Sequence, residues 1–172
     1  MKAGNEAGVD IKYYTFGAHM NGSPTAMGDG GGDRVIATLE GHDNMGAELG
    51  NAAAEAWVAG WRATDPGFDY PWINFQVMMD MVAEAVKKAG STDALKVALA
   101  LEGIQAPDIY GNVNTMRKDD HQMISPFHTA LFTKGVKNIS ENTGWGWKTQ
   151  STASSSDLTF PTQCKMKRPS GA

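Results

Sequence analysis

The sequence has little cysteine and no excess of positive charge. Its one cysteine, Cys164, excludes an intrachain disulfide and any metal site built from several cysteines. Fifteen Lys and Arg residues stand against nineteen Asp and Glu residues, so the formal net charge is −4. A chain with this balance lacks the basic field that holds a phosphate backbone, and we expect no nucleic acid partner.

Long apolar runs are also missing. No segment reaches the roughly 18 to 20 apolar residues that a membrane-spanning helix needs. The opening MKAGNEAGVDIKYY follows its first lysine with Gly, Asn and Glu, which does not match a secretory signal peptide. With 172 residues, 41% of them hydrophobic and 20% charged, the chain has a globular composition. We therefore expect a soluble protein that carries no targeting segment within these residues.

The hydrophobic pattern predicts an α/β fold, with strands at both ends of the chain and three helices between them. The expected elements are the end of a helix over 2–8, strands over 10–16 and 34–39, helices over 45–63, 71–89 and 92–102, and strand-like runs between 104 and 134. A parallel sheet buried on both faces needs more strands than these, and no strand precedes the first helix. The pattern thus indicates an incomplete α/β unit.

Three details of this pattern can be tested against the structure. In the helix over 71–89, Pro71 fits the first position, and an apolar stripe that includes Trp72, Phe75 and Met79 is expected to face the core. Ser91 is the expected N-cap of the third helix. The tail from residue 138 is rich in Ser, Thr, Asn and Gly, which favours an extended segment on the surface.

The residues offer little sign of catalysis. The histidines are His19, His42, His121 and His128, and no two of them have the spacing of a metal-binding helix. The glycine run at 28–32 lacks the pattern of a phosphate-binding loop, and a hinge or tight turn explains it better. The serines of the tail have no nucleophile motif around them. We predict no catalytic residue, no bound metal and no cofactor.

Three sequence blocks resemble those of a known family. They are EAGVDIKYYTFGA, AEAVKKAGSTDALKVALALEG and GNVNTMRKDDHQ, and the later GWGWKT and PTQCKMKRP agree with them. In this order they resemble the branched-chain amino-acid type of ABC-transporter substrate-binding proteins, which have the type I periplasmic binding-protein fold. Members of that family are periplasmic, consist of two three-layer α/β/α lobes, and close on a small-molecule solute that an ABC transporter permease takes up.

The resemblance covers the C-terminal half of such proteins, so the N-terminal half has no counterpart in this chain. It implies that residues 1–41 end the second lobe and that residues 42–118 form the C-terminal part of the first lobe. Residues 119–172 would then supply the return crossover, a strand of the second lobe and the tail. The missing N-terminal half of the same protein becomes an expected partner.

The same resemblance implies four ligand-binding residues. The loop after DIKYYTF, which contacts the amino group of the solute in relatives, here reads Gly17, Ala18 and His19. Tyr70 falls at the position of an aromatic residue that lines the family's cleft. His19 replaces a residue that is often acidic, and this favours a solute other than a simple amino acid, such as an amide, a urea-like compound or an aromatic acid.

Three other functions remain open at this stage. The chain could be a sensory or regulatory domain of the same fold, although it shows no fused signalling segment. It could be a truncated fragment that binds nothing tightly, because half of the cleft is absent. It could also be a metal-dependent hydrolase that uses His19, His42 and Asp43, which Zn²⁺ binding would reveal.

Overall fold

The computed structural model describes residues 1–70 and 73–169, and it divides into two compact units. The first unit consists of Met1–Pro71 and Phe127–Thr152, and the second consists of Trp72–Pro126 and Ala153–Ala172. Both units combine helices with a β-sheet, which confirms the predicted α/β class. The assignment of residues 1–41, 42–118 and 119–172 to two lobes stays a prediction.

Helices and strands alternate along the first part of the chain. The helices are α1 (Lys2–Glu6), α2 (Ser23–Gly31), α3 (Met45–Glu48), α4 (Ala52–Thr64), α5 (Ile73–Ala89) and α6 (Ala94–Leu101). The strands are β1 (Tyr13–Phe16), β2 (Val35–Leu39), β3 (Gln105–Pro107), β4 (Val113–Met116), β5 (Met123–Ile124), β6 (Phe127–Thr133) and β7 (Gly146–Ala153). None of the helices in the described ranges has both the length and the apolar character of a membrane span.

The sheet of the first unit has the strand order β1-β2-β6-β7. β1 runs parallel to β2, with Tyr13 opposite Val35, and β2 runs antiparallel to β6, with Ala37 opposite Ala130. Alternate residues of β2 and β6 are buried, as expected for strands with one face on a core. That core consists of Val35, Ala37, Leu39, Ala130, Phe132, Trp145 and Trp147.

The expectation that the tail lies on the surface is wrong for the residues around β7. Trp147 is 1% exposed, and its ring centroid lies 5.1 Å from that of Phe132. Trp145 stacks on the same phenyl ring at 6.0 Å. Two indoles bury enough apolar area to hold this segment in the core, although Ser and Thr dominate its composition. Within this tail, residues 138–145 and 154–169 have no helix or strand.

The second unit packs α5 and α6 with the antiparallel sheet β3-β4-β5. Its core consists of Val77, Met81, Ala85, Ala100, Ile104, Ala106 and Met116. The predicted stripe of α5 is wrong at Phe75 and Met79, which are 57% and 63% exposed. The helix carries two apolar stripes, and packing against α6 and β3 selects the other one. Pro71 and Trp72 lie outside the described residues.

Two helix boundaries also differ from the expected ones. The helix predicted over 45–63 is divided into α3 and α4, because Gly50 takes a φ of +64° and ends the first piece. The side chain of Asn51 then caps α4 by accepting the N–H of Ala54 at 3.0 Å. The N-cap of α6 is Asp93, which accepts the N–H of Lys96, while Ser91 accepts the N–H of Asp93.

The glycine run at 28–32 belongs mostly to α2. Gly28 has a φ of +46° and a ψ of −143°, so the helix is kinked there, and it continues to Gly31. Gly32 lies against the indole of Trp145, where a larger residue would clash. The expectation of a tight turn is correct for the kink, but packing against Trp145 is what requires the last glycine.

Candidate functional site

The loop that follows β1 holds three of the predicted ligand-binding residues. Gly17 has a φ of +79°, which lets the chain turn sharply at the end of the strand. Ala18 packs against the core of the first unit. The His19 side chain points into the protein, is 3% exposed, and lies 3.7 Å from Glu40, measured from Nε2 to Oε2. The loop therefore turns its imidazole towards the end of β2.

His19 is a buried imidazole with little polar support. Neither of its ring nitrogens makes a hydrogen bond to a residue that the structure describes. Burial lowers the pKa of His19 from 6.5 to about 4, because the charged form loses its hydration. Burial raises the pKa of Glu40, which opposes formation of an ion pair between the two side chains. At neutral pH the site thus presents a neutral imidazole.

Two further buried histidines, His42 and His128, belong to the first unit, and neither was predicted to contribute to the solute site. His42 follows β2, is 2% exposed, and bonds Thr149 through Nε2 at 2.9 Å. His128 on β6 bonds Thr152 through Nδ1 at 2.8 Å. Burial lowers the pKa of His42 to about 3, and the charges of His128 and His19 lower it further in the same direction. We call His19, His42 and His128 the histidine cluster.

Next to His42, a charged network joins four segments of the first unit. Arg62 of α4 donates through Nη1 to Asp43 at 2.6 Å and to Asp69 at 2.9 Å, and through Nη2 to the carbonyl of Ile139 at 2.5 Å. Ser140 donates to the other oxygen of Asp69. One guanidinium faces two carboxylates, and burial together with the charge of Asp43 raises the pKa of Asp69 to about 6.

Tyr70, the fourth predicted residue, is held by this network. Its backbone N–H donates to Asp43 Oδ1 at 2.9 Å. Its ring lies 5.2 Å from the ring of Trp61 and 6.1 Å from that of Trp57, between ring centroids. Tyr70 is 7% exposed, so most of its side chain is buried. The two indoles also line an apolar groove of about 370 Å³ on α4, together with Ala56, Gly60 and Thr64.

The segment from Glu40 to Asn44 links the two predicted halves of the site. Glu40 and His42 lie near His19, whereas Asp43 binds the backbone of Tyr70. Asn44 donates to the carbonyls of Asn138 and Trp147 at 2.9 and 3.0 Å. The sequence analysis did not predict this role for the segment. Its signal was three polar residues directly after a buried strand, where ligand sites of α/β sheets lie.

The N-terminus of α2 lies just after the His19 loop and is already occupied. Glu141 accepts the N–H of Gly22, and it accepts both the N–H and the hydroxyl of Thr25, at 2.8 and 2.6 Å. A carboxylate at this position is stabilised by the helix dipole. A negatively charged ligand would have to displace Glu141 to use these donors.

No group of three or more His, Cys, Asp or Glu side chains within residues 1–70 and 73–169 is placed to hold a metal ion. In particular, both carboxylate oxygens of Asp43 are engaged, one by Arg62 and the other by Tyr70. The arrangement of His19, His42 and Asp43 therefore gives no support to a metal-dependent hydrolase.

The turn KDDHQ in the second unit is held by its own side chains. Arg117 binds Asp120 through two nitrogens and also bonds Gln122 Oε1 at 2.8 Å. The same guanidinium donates to the carbonyl of Phe160 at 2.6 Å. These bonds use the polar groups of the turn to hold the tail of the second unit.

Comparisons with known proteins agree on the fold. The chain is similar to the leucine-, isoleucine-, valine-, threonine- and alanine-binding protein of Brucella ovis, with 22% identity, a TM-score of 0.82, and coverage of 98% of this chain and 43% of that one. A periplasmic binding protein of Burkholderia mallei gives 20% identity, a TM-score of 0.68, and coverage of 97% and 42%.

A solute-binding protein of Rhodopseudomonas palustris BisB5, in complex with 3,4-dihydroxybenzoic acid, gives 18% identity and a TM-score of 0.66, with coverage of 100% of this chain and 43% of that one. The chain thus spans less than half the length of these proteins. Comparison with curated protein sequences finds no match.

These likenesses confirm the type I periplasmic binding-protein fold that the sequence blocks implied. The family model described as periplasmic binding protein matches residues 1–136, which is most of the 172-residue chain. The chain therefore belongs to the periplasmic binding protein family.

Proposed function

We propose that this chain forms part of the solute-binding component of an ABC importer, with Gly17, Ala18, His19 and Tyr70 in its solute site. The component acts in the periplasm, closes two lobes on its solute, passes it to a permease, and carries out no bond chemistry. This proposal rests on the contacts of the segment from Glu40 to Asn44. Glu40 lies 3.7 Å from His19, and Asp43 accepts the backbone N–H of Tyr70.

The chemistry of this site favours a particular class of solute. A neutral imidazole at position 19 provides one donor and one acceptor but no fixed negative charge for an ammonium group. The rings of Trp57, Trp61 and Tyr70 pack together and supply an apolar surface. We therefore propose a branched-chain amino acid or, more specifically, a related amide, urea-like or aromatic compound as the solute.

Ligand-induced stabilisation tests this proposal on the chain as it is. Melting is followed with leucine, an aliphatic amide, urea and 3,4-dihydroxybenzoate, each compared with the same protein without solute. A solute that binds the site should raise the melting temperature of the wild type, but not that of His19→Leu or Tyr70→Leu. Asn21→Leu, an exposed change in the same loop, should behave as the wild type does.

The alternative functions give other results. A cooperative melt with no response to any of these solutes would refute solute binding by this chain and favour the non-binding fragment. A rise in melting temperature that is the same in His19→Leu and in Tyr70→Leu as in the wild type would show that the solute binds elsewhere. A sensory domain of the same fold would bind solute equally well, and only interaction with a permease separates it from a transport component.

A further inference from the structure

We infer that Glu141 is a positioning residue of the candidate site, because its carboxylate fixes the start of α2 and with it the loop that carries His19. This inference rests on the proposed function, in which that loop belongs to the solute site. It goes further by assigning the placement of the imidazole to a residue in the connection between β6 and β7, which does not belong to the proposed set of solute-binding residues.

The start of α2 depends on Glu141 because its own residues provide no cap. The N-cap is Gly22, which has no side chain to accept a hydrogen bond. Pro24 lacks an N–H, and Ser23 donates its N–H within the preceding loop. The N–H groups of Gly22 and Thr25 are therefore the donors that this helix start leaves without a backbone acceptor. Glu141 accepts both of them, one on each carboxylate oxygen.

The first part of α2 is short, and this increases the importance of its N-terminal bonds. Gly28 interrupts the helical geometry with a φ of +46° and a ψ of −143°, so only residues 23–27 of the helix precede the kink. A helical segment of this length forms few internal hydrogen bonds for the backbone order that it requires. Bonds from outside the helix therefore provide a large share of what holds it. A negative charge at this end also interacts favourably with the helix dipole.

Two successive turns connect the helix start to His19. The N–H of Ser23 bonds the carbonyl of Met20 at 2.9 Å, and the N–H of Met20 bonds the carbonyl of Gly17 at 3.0 Å. His19 lies inside the second of these turns. Its ring nitrogens make no hydrogen bond to a described residue, so the loop backbone and packing determine where the ring lies. The loop is anchored by β1 at one end and by α2 at the other, and a shift of α2 would release one anchor.

The segment that carries Glu141 is itself firmly held in the first unit. The preceding residue, Ser140, donates its N–H to the carbonyl of Trp145 at 2.6 Å. Trp145 belongs to the core of the unit, and its indole Nε1 donates to Asp29 of α2 at 2.7 Å. The connection between β6 and β7 thus contacts α2 both before and after the kink. Glu141 reaches the helix start from a fixed base.

The same segment reaches the charged network that holds Tyr70. Arg62 donates to the carbonyl that directly precedes Ser140 at 2.5 Å, and the hydroxyl of Ser140 donates to Asp69. Three consecutive residues, 139–141, therefore contact this network and the start of α2 in succession. The loop after β1 and the network around Tyr70 are placed relative to one another by this segment.

The local backbone does not explain why a glutamate stands at position 141. Glu141 has a φ of +50°, and the next residue, Asn142, has a φ of +57°. A residue with a Cβ adopts this left-handed conformation at a cost in free energy, whereas glycine adopts it readily. The three hydrogen bonds that the Glu141 carboxylate accepts from Gly22 and Thr25 offset this cost. The side chain, and not the turn, is what favours glutamate here.

Hydrogen exchange of single amides, measured by NMR on the whole chain at neutral pH, tests this inference. Glu141→Gly suits the left-handed backbone but removes the carboxylate. The amides of Gly22 and Thr25 should then exchange about fivefold or more faster than in the wild type, as expected for the loss of a helix cap. The amide of Met20 should change by a similar factor, and the ring nitrogen signals of His19 should shift, because the loop loses one of its anchors.

Two further variants separate the carboxylate from the backbone. Asn142→Gly changes the neighbouring left-handed residue, which is exposed, and should leave these amides and the His19 ring signals as they are in the wild type. Glu141→Gln keeps the length of the side chain and one acceptor oxygen but lacks the second acceptor. Compared with Glu141→Gly, it should slow only one of the amides of Gly22 and Thr25, and it should return the His19 signals part of the way to their wild-type values.

Three results would overturn the inference. Unchanged exchange of Gly22 and Thr25 in Glu141→Gly would mean that the carboxylate does not cap α2. Fast exchange of these two amides with an unchanged Met20 amide and unchanged His19 ring signals would limit Glu141 to a helix cap without a positioning role. Equal changes in Asn142→Gly would assign the effect to the backbone of the turn.

Solute binding distinguishes this inference from the proposed function. Leucine, an aliphatic amide, urea and 3,4-dihydroxybenzoate serve as probes, and one that stabilises the wild type should bind Glu141→Gly about fivefold or more weakly. If none of them binds the wild type while the His19 signals still depend on Glu141, the proposed function fails and this inference stands. A probe that binds the wild type and Glu141→Gly equally well would contradict this inference and leave the proposed function intact.

Discussion

Acid should destabilise the first unit through its buried imidazoles, and His19 gives the sharpest test. The pKa of an unfolded histidine is near 6.5, whereas burial lowers the pKa of His19 to about 4 in the folded chain. Below pH 6.5 the unfolded state therefore binds a proton that the folded state excludes. Stability from this group is fully present above pH 6.5 and is lost as the pH falls towards 4.

The magnitude follows from these two pKa values. Between pH 7.5 and pH 5, the excluded proton costs about 2 kcal/mol of unfolding free energy for His19. Burial also raises the pKa of Glu40, and it raises the pKa of Asp69 to about 6. These two carboxyl groups therefore stabilise the folded chain as the pH falls, which opposes the effect of His19. Their effects are common to the wild type and to a His19 variant, so they largely cancel in the difference.

The variant His19→Leu removes the titrating group and keeps a side chain of similar size. At pH 7.5 it should be as stable as the wild type or more so, because two ring nitrogens without partners among the described residues are removed. At pH 5 the wild type should have lost about 2 kcal/mol more than the variant. Met20→Leu, the neighbouring residue, should keep the wild-type dependence on pH.

Urea unfolding at constant ionic strength, followed by tryptophan fluorescence, measures these free energies. Four of the five tryptophans lie in the first unit, so the signal reports mainly on the unit that contains His19. Parallel loss of stability in the wild type and in His19→Leu would refute the reasoning, since it would show that the imidazole is not buried in its neutral form.

Three further substitutions test the packing of the first unit. Arg62→Met leaves two buried carboxylates without their cation and should lower the free energy of unfolding by about 3 to 5 kcal/mol at pH 7.5, measured with urea. The loss should be smaller at pH 5, because the carboxyl groups can then be protonated. Gly146→Ala should destabilise the chain, because a Cβ at this position would collide with the backbone carbonyl of Asn138. Gly60 lies in open space on α4, so Gly60→Ala should stabilise the chain by roughly 0.5 to 1 kcal/mol. Equal thermal shifts for the two glycine variants would contradict this difference.

The local sequence was sufficient to predict helix ends and strands, because the residues that determine them lie within a few positions of one another. Gly8 ends α1 with a φ of +70°, and the N–H of Val9 bonds the carbonyl of Gly4, as a glycine-terminated helix requires. β2 and β6 alternate between buried and less buried residues as their apolar patterns indicate.

The tertiary structure decided what depends on distant partners. Both stripes of α5 are apolar, and only contact with α6 and β3 determines that Met81 is buried while Met79 is exposed. For the candidate site, sequence resemblance pointed to His19 and Tyr70, yet the residues that support them remained hidden. Asn44 bonds Asn138, which is 94 positions away, and Asp43 bonds Tyr70 across 27.

The physical reason is the range of each interaction. Helix ends, turns and strand alternation arise from backbone geometry over a few residues, so the sequence by itself determines them along with the α/β class. Burial of a polar group is tolerated only where a partner satisfies it, and that partner is brought close by the fold. The hydrogen-bond partners of His42, Asp43 and Asn44, and hence the shape of the site, were therefore decided by the tertiary structure alone.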